Sequence, residues 1–180
     1  MITIITGETH VGKTALAQRL LEIEQIPYLS IDHLKMGLIR TKQTALTPMS
    51  SDESLTEYLW PIVAEMIKTA IENQQSLIVE GCYVPENWKT YFSKAYLKEI
   101  RYLCLIFSEA YIRQSFEEIV KYSSVIERRL DDGWLTSENL IKGNRHLLEQ
   151  CQRNKLPYVL IDQVYDQDEL LKSIQKQDKH

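Results

Sequence analysis

Eight consecutive residues, Gly7-Glu8-Thr9-His10-Val11-Gly12-Lys13-Thr14, carry the spacing G-x-x-x-x-G-K-[ST]. The chemistry this spacing serves is phosphate binding. Glycines let the backbone curl until its N–H groups point inward at phosphate oxygens. The dipole of a helix starting at Lys13 would add positive charge at the same point. Lys13 is placed to reach the outer phosphates of a nucleoside triphosphate, and the Thr14 hydroxyl to ligate Mg²⁺. Glu8, Thr9, His10 and Val11 complete the loop, and His10 could touch the ligand or only fill a position whose backbone does the binding.

The motif means little without its flanks, and both are present. Residues 2–6 are an apolar, β-branched run, read as a strand, and residues 13–25 form an amphipathic helix closed by Ile26-Pro27. The same alternation continues along the chain. Strands are predicted at residues 28–31, 76–80, 102–107 and 158–162. Helices are predicted at residues 33–39 with Asp32 as N-cap, 53–73, 85–95, 109–121, 137–154 capped by Thr136 or Ser137, and 169–175. Pro61 falls inside the helix at 53–73 and should kink or split it. Residues 41–51 read as a loop and Asp131-Asp132-Gly133 as a turn. Strands alternating with helices predict an α/β fold with a parallel sheet.

In such sheets ligands bind at the carboxyl ends of the strands. That rule selects Asp32, Glu80-Gly81, Ser108-Glu109 and Asp162. Asp32 is suited to take the proton of an attacking hydroxyl, to help hold Mg²⁺, or only to cap the helix after it. Glu80 could hold a Mg²⁺ water or the acceptor, or bond the phosphate loop. Gly81 would allow a close approach to a ligand. Arginines clamp a migrating phosphoryl group. The candidates are Arg40 for an anionic acceptor, Arg113, and Arg128 or Arg129 in a stretch, residues 122–135, that could close as a lid. Lys142 and Arg145 are weaker candidates. Tyr58 and Trp60 could line an acceptor pocket or pack the core.

The chain has 180 residues, 44% hydrophobic and 26% charged, enough for one domain spanning residues 1–180. A net charge of −4 argues against a nucleic-acid binder that relies on a basic surface. Cys82, Cys104 and Cys151 are widely spaced and read as reduced, apolar packing residues. No apolar run is long enough to span a bilayer, and no leader pattern opens the chain, so a cytoplasmic protein is expected. The Asn-Lys-x-Asp segment of a regulatory GTPase is missing. So is the paired Asp-Glu of a mechanical ATPase. The oligomeric expectation is a monomer or homodimer.

The phosphate loop, the segments Ser30-Ile31-Asp32-His33-Leu34 and Ile78-Val79-Glu80-Gly81, and the Arg-bearing stretch after the fourth strand together resemble the small phosphate-loop kinases. These are the adenylate-kinase-like, shikimate-kinase-like and zeta-toxin-like phosphotransferases. The resemblance implies a three-layer α/β/α fold whose five-stranded parallel sheet has the order 2-3-1-4-5. It implies transfer of the ATP γ-phosphate, with Mg²⁺, to a small-molecule acceptor. Asp32 then matches the catalytic base, Glu80-Gly81 the acidic pair after the third strand, and Arg113 with Arg128 or Arg129 the lid arginines. Adenylate kinases carry Asp-Gly-Phe-Pro-Arg where this chain has Glu80-Gly81-Cys82-Tyr83-Val84. The acceptor is therefore expected to be a sugar, small acid or other metabolite, not a nucleotide. The other reading is a nucleotide-binding switch or slow ATPase without an acceptor.

Overall fold

The computed structural model describes residues 1–122 and 135–175. Arg128, Arg129, Trp134 and the turn at residues 131–133 lie outside the described residues, as does most of the lid expected at 122–135. Five strands form one sheet: β1 (Ile2–Gly7), β2 (Tyr28–Ser30), β3 (Leu77–Glu80), β4 (Ile100–Phe107) and β5 (Tyr158–Ile161). Their order is β2-β3-β1-β4-β5, and every pairing is parallel. This is the predicted topology.

Seven helices surround the sheet among the described residues: α1 (Lys13–Glu24), α2 (Ile31–Arg40), α3 (Asp52–Glu72), α4 (Lys94–Leu97), α5 (Glu109–Tyr122), α6 (Ser137–Asn154) and α7 (Gln167–Gln175). The strands sort their side chains by twos, as a pleat requires. Along β4, Tyr102, Cys104 and Ile106 enter one cluster with Leu59, Trp60 and Val63 of α3. Leu103, Leu105 and Phe107 enter the other with Leu16 of α1, Ile112 of α5 and Leu170 of α7. Burial on both faces explains why β4 is apolar without a break from Tyr102 to Phe107, and why β1 carries no charged residue, its Thr3 and Thr6 being buried.

Three local expectations are corrected. α2 begins at Ile31, so its N-cap is Ser30, and Asp32 sits in the first turn. Residues 85–95 are not one helix; they hold a 3₁₀ turn at Trp88–Tyr91 and then the short α4. Pro61 does not split α3, which runs unbroken over 21 residues. Proline removes the bond to the carbonyl four residues back, at Glu57. Both Pro61 and Glu57 are exposed, so water can serve that carbonyl. The buried stripe of Leu59, Trp60, Val63, Ala64 and Ile67 continues on either side. Each large member of such a stripe contributes about 1.5–3 kcal/mol on burial, enough together to offset the lost bond.

Candidate active site

The phosphate loop leaves β1 through Gly7, at φ 146°, and enters α1 through Gly12, at φ 82°. A Cβ on Gly7 would lie 2.4 Å from the Leu105 carbonyl oxygen, so only glycine fits between the loop and β4. Gly12 caps α1 in the left-handed region without any side-chain hydrogen bond, and the first turn holds no acidic residue. The opening amides of α1 are thus left for an anion.

Lys13 is 5% exposed and donates to the Glu8 carbonyl at 2.7 Å, folding back over the loop. Burial acts against its charged form, yet its pKa is raised, because Cys82, Glu80 and Asp32 draw on the ammonium more strongly. Burial pushes the Cys82 thiol up, so at neutral pH it meets the ammonium as a hydrogen-bonding thiol and not as a charge. The carboxylates of Glu80 and Asp32 then carry the attraction. A buried cation costs several kcal/mol in lost hydration, roughly, so its opposing charges are part of the site's design.

Thr14 donates its hydroxyl to Glu80 Oε2 at 3.2 Å. Glu80 is 1% exposed at the end of β3. In register beside it on β2, Ser30 buries a hydroxyl with no hydrogen-bond partner among the described residues. A threonine hydroxyl and a carboxylate are hard oxygen donors that suit Mg²⁺. Among the described residues no cluster of three or more His, Cys, Asp or Glu could hold a metal. A metal here would therefore share its shell with phosphate oxygens and water, as Mg²⁺ does beside nucleotides.

Asp32 is half-buried and forms an ion pair with Lys35, Nζ to Oδ1 2.6 Å. Lys35 Nζ also donates to the Tyr83 hydroxyl at 2.8 Å. Burial disfavours the Lys35 ammonium, but Asp32 and then Tyr83 raise its pKa. Gly81 packs on the start of α2, where a Cβ would come within 2.8 Å of Ile31 Cβ. Thus β1, β2 and β3 bring Lys13, Thr14, Asp32 and Glu80 together. Arg40 is not among them; it ends α2 on the exposed surface. Arg113 is also apart, 58% exposed and paired with Glu109 at 2.9 Å. Arg145 pairs with the other oxygen of Glu109 at 2.7 Å. Trp60 is fully buried in the core, edge-on to Tyr91 and Phe92.

On the other side of the loop lies a cavity of about 650 Å³. His10, Thr14, Tyr111, Ser115, Gln163 and Tyr165 are among its walls. α5 has a break in its helical backbone at Ser115, φ −116°, where it passes this cavity. Tyr165 donates to the Gly12 carbonyl at 3.0 Å, and burial pushes its phenol up to about 12. The volume is in the range of ligand pockets.

Solved structures with the same arrangement can be set beside this geometry. A sugar kinase from Janibacter superposes with a TM-score of 0.58 at 12% identity, over 95% of this chain and 90% of its own. A gluconokinase from Sinorhizobium meliloti gives 0.52 at 15% identity, over 98% and 91%. A shikimate kinase from Aquifex aeolicus gives 0.52 at 15% identity, over 99% and 96%. The chain has the fold of the small phosphate-loop kinases. No family model matches its sequence, and no curated protein matches it. Among the described residues no helix is long and apolar enough to cross a membrane.

Within this small-kinase fold, three site residues escape a reading of the sequence. Lys35 stands three residues after Asp32 on a helix, a spacing that would have marked it. Tyr83 and Tyr165 have no such local mark. Tyr83 is 48 positions from Lys35, and Tyr165 is 153 from Gly12.

Proposed function

We propose that this protein is a Mg²⁺-ATP-dependent phosphotransferase that moves the γ-phosphate of ATP to a hydroxyl, or a phosphate, of a small metabolite in the cytoplasm. The observation that carries the reading is the placement of Asp32. It sits in the first turn of α2, just past the end of β2, and its charge helps raise the pKa of the phosphate-loop Lys13, where a bare nucleotide switch needs no carboxylate. Mg²⁺ supplies charge neutralisation between the outer phosphates when bound. Thr14 and Glu80 are the residues that would hold it. Lys13 and the first amides of α1 would hold the phosphate oxygens. The cavity beside Tyr165 is suited to the nucleoside. The acceptor oxygen forms its bond to the γ-phosphorus as the bond from that phosphorus to the leaving ADP breaks, and the hydroxyl proton passes to Asp32. Arg128 or Arg129 is the candidate clamp for the transferring group, Arg113 could join it only by leaving its pair with Glu109, and Arg40, at the exposed end of α2, is the candidate for an anionic acceptor that reaches that far.

The test is a panel of hydroxyl metabolites, sugars and hydroxy acids first, scored for ADP release above the rate in water alone. With an acceptor in hand, Asp32→Ala is expected to lower transfer by a factor of at least about 100 while ATP binding is kept. Near wild-type transfer by that variant would remove the base assignment. A panel with no response would favour the switch.

A further inference from the structure

The Asp32 ion pair differs from an ordinary helix-surface pair. Lys68 and Glu65 have the same i,i+3 spacing and the same 2.6 Å distance, but Glu65 is 71% exposed. Such pairs contribute little. Lys35 is only 11% exposed and Asp32 31%. A second segment of chain closes on them: Tyr83, 6% exposed, follows β3, bonds Lys35 through its hydroxyl, and lays its ring 4.8 Å from Nζ. Lys35 thus has one N–H on Asp32 Oδ1 and one on Tyr83. Among the described residues Asp32 Oδ2 has no hydrogen-bond partner.

We propose that Lys35 and Tyr83 are positioning residues, which hold Oδ1 of Asp32 so that Oδ2 is presented to the acceptor hydroxyl. This rests on the assignment of Asp32 as proton acceptor above. The physical need is plain. An aspartate with both torsions free must be ordered at the moment of reaction, and a misplacement of about 1 Å can cost as much as a hundredfold in rate. A lysine on the same helix fixes the carboxylate relative to α2. The tyrosine fixes that lysine relative to β3, and therefore relative to Glu80 and the phosphate loop. The carboxylate is thereby referenced to the donor side of the site through two bonds.

Two measurements test this. The first is the alkaline titration of the Lys35 ammonium, followed by NMR of carbon-labelled lysine in the protein without nucleotide. In Asp32→Asn, burial loses its main opponent and the Lys35 titration should fall to lower pH; in Tyr83→Phe it should fall by less. The second is the hydrolysis of Mg²⁺-ATP with water in the acceptor's place. Lys35→Met is expected to lower kcat about tenfold or more with KM for ATP within about twofold, and Lys35→Arg to recover part of the loss. If Asp32→Asn loses rate while Lys35→Met does not, the positioning role is overturned and the base assignment stands; if the Lys35 titration ignores both substitutions, the positioning role is overturned whatever the rates. If Asp32→Asn itself keeps its rate, the failure belongs to the base assignment.

Discussion

The phosphate loop has two unlike sides. Toward β2 and β3 the charged groups are buried and crowded: Lys13 is 5% exposed, Glu80 1%, and Lys35 11% on its side chain. Toward β4 and β5 charge is sparser: Lys13 and Glu118 edge a cavity whose other walls are polar, aromatic or aliphatic. Glu109, Arg113 and Arg145 pair on the surface, while the loop itself faces a cavity walled by Phe107, Tyr111 and Tyr165. Burial makes the first side electrically stiff, because a charge removed from water must be answered by a fixed partner. The second side can bind the flat, weakly charged part of a ligand without that obligation. The transfer proposed above would use the first side for the transferring charge and the second for the nucleoside.

The strongest test of this division is Lys13→Ala. It removes the cation that Glu80 and Asp32 both answer, leaving two carboxylates near each other without it. Nucleotide turnover should fall by a factor of about 1,000 or more, as for other groups that meet charge in the transition state. Steady-state ADP release measures it. Turnover within about tenfold of wild type would mean that the buried side does not handle the phosphates.

Gly12→Ala probes the seam between the sides. A Cβ there would lie 2.3 Å from the Tyr165 hydroxyl, at a backbone φ of 82° that side chains rarely adopt. Both faults act together, and a loss of about 1–3 kcal/mol of stability is expected in a denaturant melt. Tyr165→Phe removes only the bond to the Gly12 carbonyl, for about 0.5–1.5 kcal/mol. If Tyr165 joins the cavity to the loop, Tyr165→Phe will also weaken ATP binding. If it only packs, stability will fall and binding will not.

The seam also marks how far the sequence could be read. Residues 2–14 were legible because strand, loop and helix are adjacent and each has its own periodicity. Strand order was legible from the resemblance, not from spacing. The Asp32 position was found by the strand-end rule, although the helix begins one residue before it and makes it a first-turn residue. Tyr83 and Tyr165 were not legible because their partners are set by sheet pairing and by the return of the chain after β5. Arg113 looked like a clamp because arginine chemistry suits one. Its partner Glu109 lies four residues back on the same helix, and the two bond outside the site.

The smallest effect expected is also the one that compares the sides directly, through pH. Arg113, then Arg145, lower the Glu109 pKa from 4.5. A lowered folded pKa gives stability that is present above the unfolded value and lost as pH falls through the folded one. Lys13 and Lys35 are raised from 10.5. A raised folded pKa gives stability that is complete below the unfolded value and lost as pH rises through the folded one. Acid therefore reports on Glu109 of the exposed cluster, and alkali on Lys13 and Lys35 together with buried phenols such as Tyr165. Melting temperatures followed from neutral pH down to about 3 and up to about 11.5 separate them. Lys35→Met should make the alkaline arm shallower by the share that Lys35 contributes, while Lys13 and the buried phenol of Tyr165 keep the rest. Glu109→Gln should barely change the acid arm, because water already screens that carboxylate. A large acid effect of Glu109→Gln would show that the surface cluster is coupled to the core after all, and the contrast between the two sides would not hold.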